Sequence, residues 1–561
     1  MSVARNDRDG SWSIAHRLRL SRFGRPRFGW GTVLALLVAV AIAAPIAAVF
    51  SQSVVSSNGM WSHLADTVLP GYVLNTLALM VLVTAWTLFA GVSSAWVVTM
   101  YEFPGRSLFR WALLLPLAMP AYVLAYTYTD FFQFTGPLQT WMRATMGWRK
   151  GDYWFPEIHS LGGAGFVLSA VLYPYVYVLS RTAFLEQSVC VLEVSRTLGA
   201  TPLTSFLRVA LPLARPAIAT GVGYALMETL ADFGAVKYFG IDTFTVGIYR
   251  AWFALGSPVV AAQLAAILLL FVLAVLGLER LSRGRMRFHQ TTMRYRHLPT
   301  VHLSAPGTLL AWFFCAPPVV FGFVLPAGIL VWMIARGNAE ITLEQVAHLT
   351  ANTLLLGVVG AVLVVAVGFL VLHGVRQDRT RVAALAVRVA SLGYATPGAV
   401  IAVGILIAIG TAGQWFGGAV TGYILGGTLV GVLYGYLIRF FTVAYGPLES
   451  GFTKISPNIE GAARSLGNRP VQVLFRVHLP LLRASMLSAF LLVFVDIMKE
   501  LPATMILRPF NFDTLAIEAF RMASTERLDD AALPALIIVL AGLLPVILLS
   551  RSIAASRPGH H

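Results

Sequence analysis

Glu228 and Asp232, in Met227-Glu-Thr-Leu-Ala-Asp-Phe-Gly234, and Asp496 and Glu500, in Val495-Asp-Ile-Met-Lys-Glu-Leu-Pro502, are carboxylates set in apolar surroundings. An ionised side chain at the centre of a membrane span costs on the order of 2.5–3.5 kcal/mol even on the mildest scales, so its presence calls for a function or a partner. Within each segment the acids are spaced i, i+4, which puts both on one face of a helix. Four carboxylates turned to a common axis suit a hard cation, which takes oxygen ligands. They suit equally a structural role, paired with Lys237, Lys499 or backbone at the membrane edge. Residue type and spacing leave both readings open.

The two acidic segments are copies of one another, and so are the elements that must position them. From Glu193 the chain reads EVSRTLGATPLTSFLRVALPLARP, and from Gly461 it reads GAARSLGNRPVQVLFRVHLPLLRA. With Gly199 laid on Gly467, the copies share Arg196/Arg464, Leu198/Leu466, Pro202/Pro470, Arg208/Arg476, Leu211/Leu479, Pro212/Pro480 and Arg215/Arg483 without a gap. The same register lays Glu228 on Asp496. Each copy reads as a helix, a turn and a second helix. Gly199 and Gly467 end the first helix, because glycine accepts the left-handed backbone at a C-terminal cap. Thr201 ahead of Pro202 starts the next with a capping hydroxyl and a proline in the first turn, and Asn468 ahead of Pro470 is expected to do the same. Pro212 and Pro480 are expected to break or kink the second helix.

These polar loops sit in an oily chain. Of 561 residues, 57% are hydrophobic and 12% charged, against about 25% charged in soluble domains. Apolar runs recur at the length of a bilayer-spanning helix, so the fold class is an all-α polytopic membrane protein in contact with the lipid bilayer. The net charge of +16 falls largely in short loops between spans, where topology sorting accounts for it, and no nucleic-acid partner is expected. Two cysteines, Cys190 and Cys315, give no disulfide framework. Hydropathy and arginine placement divide the chain into a basic cytoplasmic tail (1–29), a six-helix half (30–280) with its loop near 186–215, a basic linker (281–308), a second six-helix half (309–551) with its loop near 449–483, and a short tail (552–561). Pro116 and Pro120 are expected to bend the third span. Six spans return the chain to its starting side, so both polar loops and both termini are expected on the cytoplasmic side.

The doubled loop resembles the EAA loop of the membrane subunits of ATP-binding-cassette importers. Gly199 to Val209 and Gly467 to Val477 keep that family's spacing, with Leu-Pro following in each. The first copy keeps Glu193 but has Val194-Ser195 for the two alanines. The second has Ala462-Ala463, with Glu460 one residue early. The resemblance implies a type I importer permease fold of about twelve spans, with the loops docking on an ATPase. Glu193, Arg196, Gly199, Ala200, Thr201, Pro202, Leu211 and Pro212, and Glu460, Ala462, Ala463, Arg464, Gly467, Pro470, Leu479 and Pro480, then become coupling residues. The stretches 228–240 and 499–515 look like the ferric-iron permeases of this superfamily, while the Lys-Glu-Leu-Pro type of motif also occurs in relatives for thiamine, polyamines and phosphonates.

The implied partners are two cytoplasmic ATP-binding-cassette ATPase subunits and a periplasmic iron-binding protein, in a bacterial inner membrane. No phosphate-binding Gly-x-x-x-x-Gly-Lys-Ser/Thr loop occurs. The chain is therefore expected not to be an enzyme and to bind no cofactor of its own, ATP being used by the partner subunit. A gradient-driven secondary transporter would also explain the repeat and the acids, but not the doubled loop.

Overall fold

The computed structural model describes residues 29–57, 59–186, 197, 199, 201–283, 301–337, 339–378, 380–416, 428–453, 455–468 and 470–555. Ten helices among them are long and apolar enough to cross a membrane, and the number reaches twelve when two bent pairs are counted as one span each. The bent pairs are Arg106–Ala118 with Ala121–Met146, at 93°, and Arg381–Ala395 with Gly398–Gly413, at 114°. They occupy the third position of each half. Pro120 and Pro397 stand at the bends, where proline disfavours a helical residue before it. Strand structure among the described residues amounts to one two-residue parallel pairing, Tyr101–Glu102 with Val301–His302.

The halves are not self-contained. Helix Trp30–Ser53 packs on the last span of its own half, Pro258–Arg283, and on Leu343–Asp378, Arg381–Ala390 and Gly398–Phe416 of the other half. Gly31 crosses Gly374 so closely that a Cβ on Gly31 would lie 2.2 Å from the Gly374 carbonyl carbon. Thr32 donates to Asp378 through both its amide (2.7 Å) and its hydroxyl (2.9 Å). The second half answers in kind. Residues 305–335 pack on Leu528–Ala555 of their own half and on Leu69–Met100, Ala121–Phe132 and Leu161–Glu186 of the first. Tyr128 donates to the Phe321 carbonyl there, and Arg336 pairs with Asp130 at 3.1 Å.

Two expectations about helix ends need correction. Glu228 and Asp232 do not share one helix. The fifth span ends at Ala231, Asp232 turns extended (φ −65°, ψ 133°), and a short helix Gly234–Tyr238 follows. In the second half the helix ends at Met498 and a short helix Pro502–Leu507 follows. The cause is side-chain capping. Asp232 Oδ1 accepts from the amides of Ala235 and Val236, both at 3.1 Å. Glu500 accepts from the Ala503 amide at 2.9 Å and the Thr504 amide at 2.8 Å. A carboxylate that satisfies orphan amides at a helix start stabilises the break.

Pro212 and Pro480, by contrast, do not interrupt their helices. Each follows a wide turn, with the Leu211 amide bonded to the Phe206 carbonyl and the Leu479 amide to the Leu474 carbonyl. A π turn takes up the extra residue and leaves the ring room where an α register would clash. The helical run Leu203–Ala231 therefore joins the polar loop to the first acid pair in one piece of 29 residues.

Candidate functional site

The four acids meet at one cavity of about 130 Å³ between the halves. The bend of the third span contributes Met119, Pro120 and Tyr122, and helix Leu161–Glu186 contributes Tyr175. The second half supplies Tyr394, Arg439 and Lys499 alongside Asp496 and Glu500. Interrupted helices meeting at a repeat interface are the arrangement in which transporters place their sites.

Within the cavity the acids separate into two kinds. Asp232 and Glu500 cap the short helices at the breaks. Glu228 and Asp496 have partners across the cavity wall. The Tyr394 hydroxyl donates to Glu228 at 3.3 Å, the Arg439 guanidinium lies 4.0 Å from it, and Lys499 pairs with Asp496 at 2.9 Å. A structural role therefore accounts for part of what these groups do, although all four also line the cavity. No group of three or more His, Cys, Asp or Glu side chains among the described residues is arranged to hold a metal ion.

Sequence reasoning misses Arg439 and the three tyrosines. Arg439 carries the same signal as the acids, a charge inside an apolar run (Gly435-Tyr-Leu-Ile-Arg-Phe-Phe441). Comparison of the repeats hides it, because the register that lays Gly199 on Gly467 lays Val171 on Arg439 and Ala231 on Lys499. Both cations of the cavity come from the second half.

At the opposite end of the same helices lie the polar loops. Glu193, Arg196 and Ala200 fall outside the described residues, as do the side chains of Pro202, Arg464 and Pro470. Gly199 and Gly467 are left-handed, with φ +82° and +85°. The Thr201 hydroxyl accepts from the Thr204 amide at 3.2 Å, as expected of a cap. Asn468 closes the helix behind it. Its amide nitrogens, backbone and side chain, both bond back to the Ala463 carbonyl, at 3.2 and 3.0 Å, and close the helix Pro457–Ser465. Its Oδ1 accepts from Arg476 Nη1 at 3.4 Å. Ala462 is exposed and Ala463 buried. Ile459, Leu466 and Phe475 are exposed in this copy, Leu466 at 83%, and Leu203 and Leu207 in the other.

Glu460 faces away from that exposed side. It is buried, and accepts from Arg376 Nε at 2.5 Å, with His478 Nε2 at 3.2 Å. Arg376 also donates to the carbonyls of Phe452 (2.6 Å) and Ile455 (2.5 Å). His478 in turn meets His373, with Nδ1 atoms 2.8 Å apart. With Asn75 laid on Asn352, His373 falls on Trp96 of the first half, which packs on Phe184 and Phe206. Glu460 thus fastens its loop helix to helix Leu343–Asp378, a role not visible from its place in the motif.

A side chain at Gly199 or Gly467 would meet nothing within 4 Å, so its cost is conformational alone. Gly467→Val is expected to cost about 1–2 kcal/mol locally by forcing a β-branched residue into the left-handed region. If the loops dock on an ATPase, as the resemblance implies, the protein should still insert while ATPase copurification and uptake fall together. Normal uptake in both the Gly199→Val and Gly467→Val variants would remove the loops from the mechanism.

The fold and these loops define a class. Residues 87–288 carry the domain described as the binding-protein-dependent transport system inner membrane component. Over that stretch the chain is similar to the membrane subunits of binding-protein-dependent importers. Among individual proteins it is similar to the Fe(3+)-transport system permease protein FbpB 2 of Haemophilus influenzae, 25% identical over 533 residues that make up 94% of this chain and 99% of that one. It is also similar to the sulfate transport system permease protein CysT of Escherichia coli, 30% identical over 26% of this chain and 50% of that one. A third relative is PhnU of Salmonella choleraesuis, assigned provisionally to 2-aminoethylphosphonate transport, 24% identical over 46% of this chain and 92% of that one.

Proposed function

We propose that this chain is the membrane subunit of an importer that carries ferric iron inward, taking it from a periplasmic binding protein and driven by two copies of a cytoplasmic ATPase. The observation that carries the cargo is the colinear match to a ferric-iron permease across both halves. In this reading the exposed faces of the two loops, with Gly199 and Gly467 at their turns, receive the ATPases. Closure of the ATPase pair draws the loops together, and the continuous helices behind them carry that motion to the acids. The chain itself hydrolyses nothing.

Uptake of radioactive ferric iron by cells expressing the permease with its neighbouring ATPase and binding protein tests the cargo. Iron uptake that requires the permease supports the reading. Uptake of sulfate, a phosphonate, thiamine or a polyamine in place of iron replaces the cargo and keeps the class. ATP-independent uptake driven by an ion gradient would replace the class as well.

The reading places the chain in a bacterial inner membrane with both termini in the cytoplasm. In a background free of other cysteines, Ser282→Cys is expected to react with an impermeant thiol reagent only from the cytoplasmic side, and Ser160→Cys only from outside. Labelling of both from one side would break the six-plus-six topology.

A further inference from the structure

The polar groups of the central cavity are unevenly satisfied. Every carboxylate in its wall already has a donor: Tyr394 for Glu228, two amides for Asp232, Lys499 for Asp496, and amides with the Thr504 hydroxyl for Glu500. The unmet groups are donors. Arg439 Nη1 and the Tyr122 hydroxyl are both shut off from water, and neither has a hydrogen-bond partner among the described residues. A buried donor left unpaired costs about 1–3 kcal/mol, so an exception of this kind needs a reason. Two such exceptions in the wall of one cavity, from different halves of the chain, share a remedy. A ligand that offers acceptor oxygens to these donors would remove the cost.

No side chain from the helix after the second bend stands between these groups. Gly398 begins the helix after the second bend, and a Cβ there would lie 3.1 Å from Arg439 Nη1 and 2.8 Å from Glu500 Oε1. Arg439 also sets one geometric limit. Its Nη2 is held towards Glu228 at 4.0 Å, which leaves the Nη1 edge as the one to be engaged. Lys499 adds a second positive charge on the same wall, compensated by Asp496. A bare trivalent cation would find no free carboxylate pair here, and it would face two cations. An oxygen-rich anionic group would find donors already in place.

We infer that the cavity recognises an oxyanion group on its cargo, with Arg439 and Tyr122 as the donors that meet it. This rests on the reading that the cavity is the translocation path. The oxyanion has two possible sources: it arrives as a ligand on ferric iron, or it is itself the cargo. In either case the guanidinium supplies charge-assisted hydrogen bonds, the strong kind for carboxylate, phosphate and sulfate oxygens.

The test uses the full-length permease in lipid nanodiscs and equilibrium binding of three labelled probes: ferric citrate, inorganic phosphate and sulfate. At least one should bind, about tenfold or more weakly in Arg439→Gln and several-fold more weakly in Tyr122→Phe. Tyr122→Phe removes a hydroxyl with no partner to lose, so it should melt with the wild type and keep the test open if Arg439→Gln folds poorly. Binding of ferric citrate alone means that the oxyanion travels on iron. Binding of phosphate or sulfate without ferric citrate supports the inference and overturns iron as cargo. If none of the three binds, or if both variants bind as tightly as the wild type, the inference is wrong; iron uptake that persists in cells then leaves the import reading standing without it.

Discussion

Arg376→Ala is expected to abolish coupled uptake while leaving most of the bundle inserted. The side chain ties three groups to the end of helix Leu343–Asp378: the Glu460 carboxylate and the carbonyls of Phe452 and Ile455. Removing one partner of a buried ion pair costs about 3–5 kcal/mol, mostly through the charge left behind. Here that charge is Glu460, on the loop helix that the proposed ATPase must find in place. Uptake should fall at least tenfold and copurification of the ATPase should weaken. The double variant Arg376→Ala/Glu460→Ala should recover part of the lost thermal stability, because it removes the stranded carboxylate, and a double-mutant cycle reads that interaction directly. If the two single effects simply add, the pair does not hold the loop.

Replacing Glu228 with Gln and Asp496 with Asn together should slow cargo flux per molecule about tenfold or more, with smaller effects for each alone. The amides keep the size of the side chains and remove the negative charges that face Arg439 and Lys499. Arg439 and Lys499 would then lose the carboxylates that face them. Asp232→Ala and Glu500→Ala should behave differently. They remove caps, so melting temperature falls in proportion to about 1 kcal/mol each, and the surviving protein should move cargo at a rate closer to normal. Uptake per molecule plotted against melting temperature separates the two behaviours. Wild-type flux in the Glu228→Gln/Asp496→Asn variant would take these acids out of the path.

The class of the molecule was legible because its signals are local or repeated. Apolar runs of bilayer length, a glycine at a left-handed turn, Thr201 before Pro202, and prolines at the two bends all act within a few residues, and the duplication states most of them twice. What was not legible depends on competition between local alternatives or on partners far apart in sequence. Whether Asp232 continues a helix or caps the next one turns on its own amide bonds three and four residues on, which compete with the helical register and cannot be ranked by periodicity. Asn468 was assigned to the helix ahead, yet its side chain bonds to the helix behind. Arg439 has no counterpart in the first half, so the repeat that exposed the acids concealed it. Glu460 meets Arg376 across 84 positions of sequence, a distance over which no motif spacing speaks.

The crossing of Gly31 with Gly374 reaches beyond transport to the way the chain is made. During synthesis the helix Trp30–Ser53 enters the bilayer hundreds of residues before the surfaces on 343–416 that receive it. Until then it has only the last span of its own half for a neighbour, and lipid covers the rest. Such waiting surfaces are where larger chains go astray, by engaging a wrong partner or a second copy. A glycine pair suits this delay, because small residues let two helix backbones close on each other late, without long side chains to repack. The exchange also means that neither half has a complete lipid-facing wall by itself. Maturation of this protein is thus a late clasping of two incomplete pieces, and a membrane quality-control protease would meet its most exposed form in the interval before the clasp.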